Sequence, residues 1–262
     1  MKAIISLAPS VLACAVSLSA QITTTLHRLP DGTQQVRVRN NSQKSLVAFV
    51  VSATQVPESA GTGYAIFVVY SDPLIDSAAK PLPVGEERVG MMMNRIDRTG
   101  QRLRVLEEPI AAAGVFADGT TTGDPALLTR LMFRRSNMLF AVETALETLS
   151  NAGRRNVAKD QLIEQFTKMA ESLDRGYLPP EQRIGRSLYV SIAEKLSALP
   201  SPTLGSPFPP NNFVEQETAP LRQMRVALLE SQPSLIDATP AERGMPPQRA
   251  LQKAPPASIK HN

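Results

Sequence analysis

The sequence predicts an α+β protein, with antiparallel strands in its first half and helices in its second. Three observations carry this. Between residues 22 and 117, apolar residues alternate at a period of two or run in short β-branched blocks. Between residues 126 and 199 they recur at helical spacing instead. From Pro200 onward, prolines crowd the chain. The expected division is a leader over 1–20, a β domain over 21–122, a helical segment of about three helices over 123–199 and a Pro-rich tail over 200–262.

The chain opens MKAIISLAPSVLACAVSLSA. Lys2 precedes a mainly apolar stretch, and Leu18, Ser19 and Ala20 precede Gln21 in the manner of a signal-peptidase site. A signal peptide cleaved after Ala20 is expected, and the mature chain is expected to be periplasmic or secreted. A second reading makes Val11-Leu12-Ala13-Cys14 a lipobox with Cys14 lipidated, but Leu12 sits one place late for that motif. A membrane anchor fits less well, since the run is short and interrupted by Pro9 and serines. Cys14 is the sole cysteine, so the mature chain has no disulfide and holds together by burial.

Residues 22–29 (ITTTLHRL) form a β-branched first strand. Pro30, Asp31 and Gly32 are turn residues, so this strand can pair with 35–39. In 34–54, Val36 and Val38 alternate with Arg37 and Arg39, giving one apolar and one charged face. Asn40 to Lys44 break the pattern as a polar turn. The apolar run 46–51 then suits a central strand covered on both faces. The unit reads as a hairpin whose charged-faced strand is nearer an edge or solvent. Asn40-Asn41-Ser42 also fits a glycosylation acceptor at Asn40, although a simple turn explains it as well.

The string VRVRNNSQKSLVAF resembles the B-to-C hairpin of immunoglobulin-like (Ig-like) modules in secreted bacterial proteins. The resemblance covers this stretch alone and lacks the Cys and Trp hallmarks of antibody domains. It implies an antiparallel β-sandwich over 21–122 and implies no activity, because such folds host many functions.

Residues 64–70 (YAIFVVY) form the next strong strand. In 86–94, Met91, Met92 and Met93 invite a copper reading, yet three adjacent side chains cannot converge on one ion from a strand or a helix. Two further strands are expected over 101–106 and 109–117, closed by a turn at Asp118 and Gly119. Asp118, Thr120 and Asp124 lack the acidic spacing of calcium loops, so a turn and a helix cap are expected. Glu107 and Glu108 are neighbours on a strand and point to opposite faces, so they are not a catalytic pair.

Gly123-Asp124-Pro125 starts a helix, with Asp at the cap and Pro at the first helical position. Leu128, Leu131, Met138, Val142, Ala145 and Leu149 form its stripe, with a break expected near 135–137 and a stop at 151–153. A second helix over about 156–173 and a third over 185–199 follow with short connections. Arg130, Arg134 and Arg135 make the densest basic region and are the candidate binding residues. As a solvated face they do nothing; as a sharper reading they contact an acidic polymer or envelope lipid headgroups. The tail 200–262 is too Pro-rich to bury much surface and is expected to be mostly disordered, with one short helix over 219–231.

Composition excludes several functions. The formal charge of +4 is dispersed and aromatic residues are few, which does not make a nucleic-acid groove. His27 and His261 are the only histidines, no Gly-rich phosphate loop follows a strand, and no metal cluster or cofactor motif is visible. No apolar run in the mature chain is long enough to cross a membrane. The expected function is an exported non-enzymatic binding or structural module of the bacterial envelope or secretome. Its partner would be an unknown protein or envelope component. The alternatives are a carboxylate-dependent hydrolase using acids such as Glu107 and Asp118, and lipid or polymer binding through the helix face at Arg130 to Arg135.

Overall fold

A computed structural model describes residues 21–57, 65–93, 100, 103–155, 157–174, 180–201 and 208–231. The strands are β1 (Ile22–Arg28), β2 (Gln34–Asn40), β3 (Leu46–Pro57), β4 (Ala65–Ser71), β5 (Glu87–Met93), β6 (Leu103–Phe116) and β7 (Thr121–Gly123). The α-helices are α1 (Pro125–Arg155), α2 (Lys159–Ser172), α3 (Arg186–Ala198) and α4 (Asn211–Glu230), with a 3₁₀ turn at Pro180–Arg183. The leader 1–20 and the tail beyond Ser231 lie outside the described residues, so the expectations placed on them stay expectations. No helix among the described residues is long and apolar enough to cross a membrane.

The strands form two antiparallel sheets, ordered β1-β2-β5 and β4-β3-β6-β7. The sheets share one core. Val36, Val38 and Met91 from the first meet Phe49, Val51 and Phe116 from the second. The alternation along β2 aims these valines inward, while Arg37 and Arg39 stay in contact with solvent. Gln34 also turns inward, and its Oε1 accepts the Val105 amide at 2.6 Å, a hydrogen bond from sheet to sheet.

Residues 34–54 are strand, turn and strand, but they are not a hairpin. β2 pairs with β1 and β5, whereas β3 pairs with β4 and β6. The polar turn therefore carries the chain from one sheet to the other. β2 is the centre of its sheet and not an edge. A charged face reaches solvent on the outside of any one-sided sheet, so it says nothing about edges. Asn40 fixes the crossing. It is fully buried, and its Nδ2 donates to the carbonyls of Lys44, Leu82 and Pro83 at 2.8, 3.0 and 3.2 Å. Its Oδ1 accepts from the Ser42 amide and hydroxyl at 3.1 and 2.7 Å. An amide so enclosed is not open to a glycosylating enzyme, and the turn reading stands.

β3 is covered on both faces, as its apolar run requires. Phe49 and Val51 face the inter-sheet core, and Ala48 and Val50 pack with Leu127 and Leu131 of α1. The two strands expected over 101–106 and 109–117 are a single β6. Its register against β3 jumps from Ile110 opposite Ala53 to Val105 opposite Gln55, and Pro109, which has no N–H for a ladder, falls inside the jump. β5 carries a bulge at Gly90, between Met91 opposite Val36 and Val89 opposite Arg37. A Cβ on Gly90 would stand 2.7 Å from Val38 Cγ2.

Asp124 caps α1 by accepting the Leu127 amide on Oδ1 at 2.9 Å. The helix then runs unbroken through 135–137 and past Gly153 to Arg155. A helical glycine costs about 1 kcal/mol, which the burial of Leu149 and Ala152 just before it offsets. The helices number four among the described residues, not three. α4 begins at Asn211, eight residues before the short helix expected, and continues through Pro220. An internal proline costs a helix about 3 kcal/mol. Phe208, Phe213, Leu221 and Leu228 are buried in the helical core, and that burial holds α4 in place.

Candidate functional site

The site is the joint where the four-stranded sheet meets the helices, and α1 builds it. At 1.5 Å per residue, its 31 residues span about 46 Å. The first turns, with Leu127 and Leu131, lie on the sheet, and the later turns, with Met138, Val142 and Leu149, enter the helical core. Between Leu131 and Met138 the buried stripe would have a gap. Arg135 fills it, 1% exposed.

A charge in that stripe needs a buried counter-charge. Asp72, the first residue after β4, supplies it and is also 1% exposed. Arg135 Nε donates to Asp72 Oδ2 at 2.7 Å, and Nη2 donates to Oδ1 at 3.1 Å. This two-pronged pairing matches the fork of the guanidinium to the carboxylate. Arg135 Nη1 donates to the Ser231 carbonyl at the end of α4, at 3.3 Å. Asp72 Oδ1 also accepts the Leu74 amide at 3.1 Å, and its carbonyl accepts from Ile75 and Asp76. One ion pair thus ties together β4, the turn after it, α1 and α4. Asp72 and Arg135 are the only buried charged side chains among the described residues.

Arg134 makes the neighbouring link. Its guanidinium carbon lies 3.9 Å from the centre of the Tyr70 ring, a cation–π contact. Its Nε is buried without a hydrogen-bond partner, and burial lowers its pKa. The Tyr70 hydroxyl donates to Glu181 Oε1 at 2.7 Å. Asn137 Nδ2 reaches the Glu181 carbonyl at 3.0 Å. Burial, and then the bond to Glu181, push the Tyr70 hydroxyl well above the ordinary tyrosine pKa. Arg130 is exposed. The structure thus divides the three candidate arginines. Arg135 is buried in an ion pair, Arg134 lies over an aromatic ring, and Arg130 alone is open to solvent.

Beside this joint is a cleft of about 530 Å³. Val47, Val115 and Phe116 from the sheet, Leu74 from the turn after β4, and the end of α4 line it, and Arg135 reaches its wall. Its size lies within the range of small-molecule pockets. Its acids are Asp118 and Glu230, both exposed. Lys44 Nζ donates to Asp118 Oδ2, and Thr120 Oγ1 donates to Oδ1 at 2.6 Å. The Lys44 bond first and the Thr120 bond second hold the Asp118 carboxyl down at about 2, so it is a poor proton donor or base.

No family model, curated protein or solved structure matches this chain.

The remaining sequence candidates are dispersed. His27 is exposed on β1. Met91 is buried in the sheet core, while Met92 is 62% exposed, as strand alternation requires. Asp118 forms a turn and Asp124 a cap. Glu107 and Glu108 fall in β6, and their side chains lie outside the described residues. No group of three or more His, Cys, Asp or Glu side chains among the described residues could hold a metal ion. Sequence reasoning missed Asp72, Tyr70 and Glu181. The one available signal was the seven-residue gap between Leu131 and Met138, with Arg135 standing in the stripe.

Proposed function

We propose that this protein is an exported, non-enzymatic binding or structural module of the bacterial envelope or secretome, an Ig-like β unit braced by helices. The observation that carries this reading is the fate of its buried charges. A catalytic site draws on buried or desolvated titratable groups facing a cavity. Here the buried charges among the described residues are Asp72 and Arg135, and they neutralise each other as a brace, while the partly buried Arg134 and Tyr70 are engaged with each other and with Glu181. The strand order supports the Ig-like part. β1-β2-β5 facing β4-β3-β6-β7 has the chain crossing between sheets at β2 to β3, as Ig-like sandwiches do between their second and third strands. The leader supports export, through Lys2, the apolar stretch and the Leu18-Ser19-Ala20 ending.

Expression of the whole chain in a bacterial host, followed by fractionation and mass determination, tests the reading. Recovery from the periplasm or medium with Gln21 at the N-terminus is the expected result. An intact leader on cytosolic protein overturns export. A lipid-modified Cys14 overturns cleavage after Ala20.

A further inference from the structure

We propose that β4 is a self-association edge, through which two copies of this chain join their four-stranded sheets into one. β4 pairs with β3 along seven residues without a register shift, from Gln55 opposite Ala65 to Phe49 opposite Ser71. Among the described residues no strand pairs with its other side. Its outward N–H and C=O groups therefore form a template for one more strand.

The other edges are defended in ways β4 is not. β1 ends in His27 and Arg28, both exposed. β5 carries Glu87 and Arg88 and is bent by the bulge at Gly90. β7 is three residues long. Charge, bulges and shortness are the devices that keep edge strands from pairing. β4, AIFVVYS, has no charge and no proline. It instead exposes Ile66 at 61%, Phe67 at 38% and Val69 at 38%.

The occupant this edge fits is a second β4. An uncharged strand offers a foreign peptide no charge to read, but it meets its own copy without like-charge conflict. In an antiparallel pair centred on Val68, Phe67 of each copy stands opposite Val69 of the other, and Ile66 opposite Tyr70. These are aromatic and β-branched pairs, the kind that stabilise neighbouring strands. The twofold axis repeats each pair, as a closed dimer requires. The contact is a single pair of seven-residue edge strands, so the dimer is a weak one, with a dissociation constant on the order of micromolar.

The test combines sedimentation velocity on the purified protein, from about 1 µM to about 500 µM, with amide hydrogen exchange at both ends of that range. The expected result is a reversible rise from monomer to dimer mass, with added protection in β4 at high concentration. Ile66→Lys and Phe67→Lys should each weaken association by roughly tenfold or more, with circular dichroism and melting temperature unchanged for the more exposed Ile66→Lys. A monomer at every concentration overturns the proposal. So does a dimer that Ile66→Lys leaves intact, or one that forms without protecting β4. A chain that stays monomeric while an envelope extract protects its β4 amides assigns the edge to another protein's strand and also overturns it.

Discussion

Removing the carboxylate of Asp72 should cost this protein a large share of its stability. Asp72→Ala deletes both acceptors of Arg135 and the acceptor of the Leu74 amide. The guanidinium would remain 1% exposed, with the Ser231 carbonyl at 3.3 Å still accepting from it. Leaving one charge of a buried pair uncompensated costs about 3–5 kcal/mol, against a total of about 5–15 kcal/mol for a typical domain. At about 2–4 °C per kcal/mol, the melting temperature falls by roughly 6–20 °C. Arg135→Met strands the carboxylate instead and should cost a similar amount. Replacing both, with Asp72→Leu and Arg135→Met together, removes both charges and should cost no more than about 2 kcal/mol. Urea unfolding followed by circular dichroism gives the four midpoints of the cycle. Single replacements costing less than about 1 kcal/mol, or a double replacement equal to their sum, would refute the claim that this pair braces the sheet to the helices.

Two further predictions concern the β half. Asn40→Ala removes the group that makes five hydrogen bonds at the crossing between sheets. It should cost at least about 2 kcal/mol, since buried carbonyls lose their donor; an unchanged urea midpoint would contradict it. The Asp118 carboxyl is held at about 2, below the ordinary 3.8, chiefly by the Lys44 hydrogen bond. A depressed carboxyl pKa stabilises the fold above 3.8, and that contribution is lost as pH falls through about 2. In Lys44→Met the NMR titration midpoint of Asp118 should rise toward 3.8. A wild-type midpoint already at 3.8 would count against the pairing.

Much of the element map was legible in the chain. The period-two valines of β2, the apolar run of β3 and the Asp-Pro start of α1 each specify a local backbone geometry, and each is present. α4 was hidden because Pro220 and the prolines around it argue locally against a helix. Its apolar residues outweigh them only when α1 offers a surface to cover. The candidate arginines show the same divide. Their clustering was visible, but whether a guanidinium faces water or a carboxylate depends on what folds against it.

The sequence by itself determined most of the strand and helix stretches, α4 excepted, because side-chain period is a property of a short piece of backbone. It also showed Arg130, Arg134 and Arg135 clustered on one helix. Only the tertiary structure decided that β2 and β3 belong to different sheets, that β4 is left at an edge, and that Arg135 meets Asp72, 63 positions away. Those outcomes depend on pairing between distant segments. A ladder or an ion pair is chosen by which partners burial brings together, and no local pattern records that choice.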